Sequence, residues 1–434
     1  MSKSSKVDYK TLFDRKILSW ALYDWANSAF TTTVMAGFFP VFFKTFWSEG
    51  TPAVLTTARL GISISIGSFL MAIISPTLGA LADLRGSKKL FCGLFMSLGI
   101  ACTASLAFIS KGDWLTAAIA FTVAMMAFNA SCVFYDSLLA SVATHSQMDL
   151  ASTWGFSLGY LGGGILFGVN VFMYLNPRLC GLSGPVQAVQ WSFLSVAIWW
   201  GLFSIPMFLN VPEAKTNVVK ESIFVLTRKS IRKLNHTVRS LATQKNILTF
   251  MLAYWLYIDG VYTVITMAVD FGVSIGLEPR DLIRALLLTQ FIGFPCAWAY
   301  GHFAPQFGCR RLILLTILGY SLTVFFASRM THSWEFYILA LAIGMAQGGI
   351  QGLSRSLFAK MIPANQSGEY FGLYNLVGKF ASIFGPLVVG LTAWITKESR
   401  LSLLGLLVLF VIGGALLWRV EEPGQKRETG LVSS

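Results

Sequence analysis

Gly79-Ala-Leu-Ala-Asp83-Leu-Arg85-Gly86-Ser-Lys88-Lys89-Leu90 returns 222 residues later as Gly301-His-Phe-Ala-Pro305-Gln-Phe-Gly308-Cys-Arg310-Arg311-Leu312. The two copies share both glycines, the basic pair and the closing Leu. Each lies between long apolar runs, so each reads as a tight polar turn joining two hydrophobic helices, with Gly86 free to take a left-handed backbone. Working outward, Trp20 and Asp24 match Trp255 and Asp259 at an offset of 235, and Asp136-Ser137-Leu138 matches Arg355-Ser356-Leu357 at an offset of 219. The chain is therefore an internal duplication. Parallel repeats of this kind are a transporter architecture, with the solute site between the halves.

Composition names the solvent. Of 434 residues, 55% are hydrophobic and 12% charged, against about 25% charged in an ordinary soluble domain. A dozen apolar stretches are each long enough for a hydrocarbon core about 30 Å thick. They fall near 17–46, 57–81, 90–109, 114–143, 151–175 and 188–210, then 246–275, 282–303, 311–328, 334–361, 369–394 and 401–418. The expected fold is an all-α membrane protein of twelve transmembrane helices in two pseudo-symmetric halves, 1–210 and 246–434, joined by a basic linker at 211–245.

The net charge of +13 does not indicate nucleic acid, because Lys and Arg are spread over short connections. Of the 33 basic residues, 22 fall in the connections on the side of the N-terminus and nine in the others. The positive-inside rule puts both termini in the cytoplasm. No cleavable leader is expected, and the six cysteines read as small hydrophobes.

The loop at 79–89 resembles the signature between helices two and three of the major facilitator superfamily, with its weaker copy between helices eight and nine. The resemblance implies that Asp83, Arg85 and Gly86 form a gating contact, Asp83 meeting the positive end of a neighbouring helix. Pro305 replaces the acid in the second copy, which predicts a one-sided latch. Tyr23-Asp24-Trp25-Ala26-Asn27-Ser28-Ala29-Phe30, with Asp259-Gly260, resembles the branch of that superfamily holding the fungal vacuolar amino-acid effluxers and their bacterial relatives. It implies a solute carrier in the inner membrane of a bacterium.

Ionisable groups inside a membrane cost about 2.5 to 3.5 kcal/mol on insertion scales, so they mark function. Asp24, Asp136, Asp259, Asp270, Arg355 and Lys379 qualify. Asp136 and Arg355, at matching positions, are expected to pair across the halves when one end is closed. Asp24 and Asp259 are expected to face the axis between the halves and handle solute or protons, since burial favours a neutral carboxyl and a nearby cation an ionised one. Tyr23, Trp25, Asn27, Trp255 and Tyr257 would add aromatic and hydrogen-bonding surface. Gly155, Gly159 and Gly163, like Gly344, Gly348 and Gly352, recur every four residues and give each helix a face for close approach.

No phosphate loop, zinc-type His pair or nucleophile elbow is present, so the chain is not expected to be an enzyme or a primary ATP-driven pump. No cofactor or metal is called for. The expected partners are a small-molecule solute, the lipid bilayer and protons, with the chain acting as a monomer. The leading function is secondary transport of amino acids or similar small polar solutes. The alternatives are a carrier of larger compounds such as siderophores or drugs, and a receptor or scaffold that does not transport.

Overall fold

The computed structural model describes residues 13–213, 223–274, 279–330, 332–396, 401 and 403–423. The first half holds α1 (Arg15–Trp47), α2 (Ala53–Arg85), α3 (Lys88–Ser105), α4 (Trp114–Ser137), α5 (Met148–Leu175) and α6 (Pro185–Asn210). A linker helix, Ile223–Leu241, packs on α2 and carries five Lys and Arg with no acid. The second half holds α7 (Lys245–Ser274), α8 (Pro279–Phe307), α9 (Cys309–Ala327), α10 (Ser333–Met361), α11 (Ser367–Thr396) and α12 (Leu406–Trp418). Among the described residues, ten helices are long and apolar enough to cross a membrane; α12 is a shorter apolar helix. Residues such as Ile62, Leu115, Ile198, Leu315 and Val411 stand more than half exposed on the outside. In lipid that surface meets its own kind.

The duplication is visible in the packing. In the first half α1 packs on α5 and α6, α2 on α4, and α3 on α4 and α6. In the second, α7 packs on α11 and α12, α8 on α10, and α9 on α10 and α12. The contacts between halves pair up as well: α2 with α11 answers α8 with α5, and α4 with α11 answers α10 with α5.

Local chemistry sets the details. α2 stops at Gly86, whose φ of 60° and ψ of 38° are left-handed, so the quoted turn uses its glycine as the sequence requires. In α1 the hydroxyls of Thr31 and Thr32 both donate to the Ser28 carbonyl, each at 2.9 Å. Such back-bonding competes with the helical ladder, and from Phe30 to Phe38 α1 widens into π-helical turns. That wider stretch borders the central cavity.

Both glycine faces make close approaches. A Cβ on Gly159 would lie 2.6 Å from Ser28 Oγ, and one on Gly163 would lie 2.8 Å from Thr32 Oγ1, so α5 lies on the polar face of α1. On α10, a Cβ on Gly348 would stand 2.5 Å from Ala297 and 2.9 Å from Tyr160, and one on Gly352 would stand 2.9 Å from Thr153. One face of α10 therefore contacts both α8 and α5.

Candidate functional site

Between the halves lies a cavity of about 410 Å³, within the range of small-molecule sites. At its floor Arg355 of α10 crosses to the first half. Its Nη1 donates to Asp136 Oδ1 of α4 at 2.9 Å and to Asp24 Oδ2 of α1 at 3.2 Å. Its Nη2 donates to Asp24 Oδ2 at 3.1 Å and to the Ser152 carbonyl of α5 at 2.7 Å, and Nε donates to Ser152 Oγ at 2.9 Å. Tyr135 adds its hydroxyl to Asp24 Oδ2 at 2.8 Å. The guanidinium carbon lies 4.8 Å from the centre of the Trp20 ring and 4.3 Å from that of Phe156, so aromatic faces cover the charge where hydrogen bonds do not. Gly155 permits this crowding: a Cβ there would fall 2.6 Å from Asp24 Oδ2 and 3.0 Å from both Arg355 Nη2 and the Tyr135 hydroxyl.

Below the floor, toward the end bearing the α2–α3 turn, two further polar clusters join the halves. Asp83 accepts from the backbone N–H groups of Gly368 (3.0 Å) and Glu369 (2.8 Å), in the first turn of α11, and pairs with Lys88 at 3.0 Å. A carboxylate at a helix N-terminus meets unpaired donors and the positive end of the dipole. Gly79 makes the approach possible, because a Cβ there would run into the Gly368 carbonyl. Lys88 also reaches Ser367 Oγ at 2.7 Å. Gly86 ends α2 so that Lys88 turns back on Asp83, while Arg85 is exposed.

The second cluster has no counterpart in the sequence expectation, which placed an acid on one side only. Asp149, in the first turn of α5, pairs with Lys360 of α10 at 2.6 Å and accepts from Ser356 Oγ at 2.6 Å and Cys309 Sγ at 2.9 Å. Pro305 removes the acid from the end of α8, and a different acid, at the start of α5, joins the halves there through α10. Sequence inspection passed over Asp149 because it sits among polar residues at a helix start, and Lys360 because it reads as a topology charge.

The remaining predicted residues divide. Asn27 lines the cavity with Asp24 and lies 3.9 Å from Cys132 Sγ. Asp259 does not line it, which corrects the expectation that the repeat turns both carboxylates to the shared axis. Asp259 accepts the Gly385 N–H of α11 at 2.9 and 3.0 Å inside its own half. The repeat is nonetheless legible, since Asp24 lies over Gly155 of α5 as Asp259 lies over Gly385 of α11. What differs is the crossing arginine, which only Asp24 meets.

The aromatic residues singled out beside these carboxylates also face away from the cavity. Tyr23 is fully buried against Tyr135, with ring centres 4.8 Å apart. Trp25 stacks on Trp199 at 5.5 Å, Trp255 meets Phe384 edge-on, and the Tyr257 hydroxyl pairs with Ser354 Oγ at 2.7 Å. These are packing roles. The side chains of Asp270 and Lys379 lie outside the described residues.

The cavity instead uses groups that sequence inspection missed. Tyr160 of α5 donates to Gln351 Oε1 at 3.1 Å. Gln347, Gln351 and Arg355 form one polar stripe at four-residue spacing, interleaved with the α10 glycines. That spacing was the available signal.

Two six-helix repeats around a polar cavity, with polar clusters joining the halves toward one end, define a transporter of the major facilitator class. The chain belongs to the family described as "Vacuole effluxer Atg22 like", which matches residues 14–150 and 141–430. It is 40% identical over 412 residues to the "Uncharacterized MFS-type transporter YxiO" of Bacillus subtilis (strain 168), covering 94% of this chain and 96% of that protein. It is 23% identical over 427 residues to "Autophagy-related protein 22" of Saccharomyces cerevisiae (strain ATCC 204508 / S288c), covering 84% and 78%. In fold it is similar to the proton:xylose symporter XylE bound to 6-bromo-6-deoxy-D-glucose, with a TM-score of 0.72 at 13% identity over 95% of this chain and 96% of that one. The human organic anion transporter MFSD10 (TETRAN) gives 0.70 at 15% identity over 93% and 99%. The Bacillus relative bears the name of a transporter and the family that of an effluxer, and the protein is an integral membrane transporter, not an enzyme.

Proposed function

We propose that the chain is a secondary transporter of amino acids or similar small polar solutes, working by alternating access in the inner membrane of a bacterium as a monomer. The observation that carries this reading is the cavity of about 410 Å³ floored by the Asp24–Arg355–Asp136 network. Four helices, three of them from the first half, meet at that guanidinium. The two clusters beyond the floor, Asp83 on the start of α11 and Asp149 with Ser356 and Lys360, join the halves from the last turns of α2 and α10 and the first turns of α5 and α11. They are concentrated toward one end.

The positive-inside distribution makes that end cytoplasmic, so the described conformation is closed on the cytoplasmic side, with Asp83 and Asp149 as its two latches. Fusions of topology reporters at Asn235 and Ser434 are expected to give cytoplasmic signals. An external signal from either would reverse the assignment.

Coupling to protons follows from charge. Two carboxylates share one guanidinium, leaving one negative charge uncompensated within the membrane-spanning part of the protein. A proton or a solute cation can neutralise it, and either then makes release of the latches less costly.

The latches are tested through Cys309, which is fully buried beside Asp149. In a variant whose other cysteines are replaced, Asp83→Asn removes the charge that holds the α11 N-terminus without touching Cys309. Maleimide labelling of Cys309 from the cytoplasmic face is expected to quicken by roughly tenfold, the effect of about 1.4 kcal/mol on the closed state. Labelling at the wild-type rate would remove Asp83 from the gate.

A further inference from the structure

The cavity's single described cation is already spent. An arginine carries five N–H donors, and each donor of Arg355 has a protein acceptor: Ser152 Oγ, the Ser152 carbonyl, Asp136 Oδ1, and Asp24 Oδ2 twice. Trp20 and Phe156 cover it with their rings. No donor remains with which Arg355 could bind a solute's carboxylate in this state. The acceptors are in the opposite condition. Asp136 gives Arg355 only its Oδ1, and Asp24 gives Arg355 and Tyr135 only its Oδ2. No described protein group donates to the second oxygen of either, and both residues line the cavity, Asp136 with 18% of its side chain exposed there.

The tyrosines and one amide oxygen of the wall point the same way. Tyr254 and Tyr374, stacked at 4.2 Å, and Tyr262 line the cavity, and phenol rings attract cations through their faces. Asn375 Oδ1, an acceptor, and the Nδ2 of Asn129, a side chain only 4% exposed, also line it without a hydrogen-bond partner in the protein. Buried amides are ordinarily satisfied, so these two are available to a solute.

The geometry points to a cation site: the transported solute is recognised through an ammonium group, held by the free oxygens of Asp136 and Asp24 and the tyrosine wall, and a carboxylate is not required. This deepens the proposed function by naming the chemical class the same site selects. Among amino acids it favours recognition at the amino end, and it extends the solute range to simple amines. It selects amines over organic anions.

The test uses the purified full-length protein and two carbon skeletons, each offered as amino acid, amine and acid: leucine, 3-methylbutylamine and 4-methylpentanoate; phenylalanine, 2-phenylethylamine and 3-phenylpropanoate. Binding is read by ligand-induced thermal stabilisation and by quenching of tryptophan fluorescence. At least one amine is expected to bind no more weakly than its amino acid, and both acids are expected not to bind. Asp136→Asn is expected to weaken the amine by roughly tenfold or more, with Asp136→Glu retaining most of it. Binding of an acid equal to that of its amine would overturn the cation site while leaving a transporter of polar solutes intact. Failure of all six compounds to bind wild type would overturn the amino-acid reading and this inference together. The six-compound comparison in wild type decides the matter even where a variant does not fold.

Discussion

Arg355→Met is expected to abolish transport and to lower the amount of protein that survives in the membrane. The substitution keeps an unbranched side chain between Trp20 and Phe156 but removes all five donors. Asp24 and Asp136 are then left beside one another without their counter-ion. Stranding one member of a buried ion pair costs about 3–5 kcal/mol, a large part of the stability of any domain. The diagnostic arm is the neutralised triple variant, Arg355→Met with Asp24→Asn and Asp136→Asn, which should recover thermal stability but not transport. Wild-type stability and transport by the single variant would mean that the network is ornamental.

The same geometry changes the outcome of a charge exchange. From matching positions alone, exchanging Asp136 and Arg355 should restore an ion pair. In the structure Asp24 also lies on the guanidinium at 3.1 Å, so a carboxylate at position 355 would stand beside Asp24 and repel it. The exchange is expected to recover function only when Asp24→Asn is added.

Gly155→Ala carries the second largest expected effect. Its new methyl group would collide with Asp24 Oδ2, Arg355 Nη2 and the Tyr135 hydroxyl at 2.6 to 3.0 Å. These atoms belong to one hydrogen-bonded network, so none can swing aside alone. Overpacking of this kind costs about 1–3 kcal/mol, and the displacement falls on the solute site, so transport is expected to drop by a hundredfold or so, at roughly 1.4 kcal/mol per factor of ten. Gly168→Ala, between three and four turns further along the same helix, is the matched comparison. Its methyl group would meet only Leu287, at 3.9 Å, and it should transport normally. Parallel uptake and thermal-unfolding measurements on the two variants check the contrast.

Much of the architecture was legible in the sequence because it is written locally or twice. The turn at 79–90 and its copy at 301–312 announce the duplication, and glycine spacing on the fifth and tenth helices announces close approach. The offset that aligns Asp136 with Arg355 also brings them together, at 2.9 Å. What the sequence hid depends on distance along the chain or on a break in the repeat. Asp24 and Arg355 are 331 residues apart and occupy no matching positions. Asp259 inherits the glycine beneath Asp24 but not the arginine above it. The aromatic residues flanking both aspartates resemble a binding surface in sequence, yet helical geometry turns neighbouring residues to different faces, and Trp25 and Trp255 pack within their own halves.

The most direct test of the central claim is gradient-driven accumulation of labelled amino acids in proteoliposomes, wild type against Asp24→Asn, with and without a pH gradient. Asn keeps the shape and can still accept from Tyr135, while the site passes from one surplus negative charge to none. The account predicts accumulation by wild type that depends on the pH gradient, and folded Asp24→Asn protein that accumulates nothing. Accumulation by Asp24→Asn at the wild-type level, with the same dependence on the gradient, would contradict it.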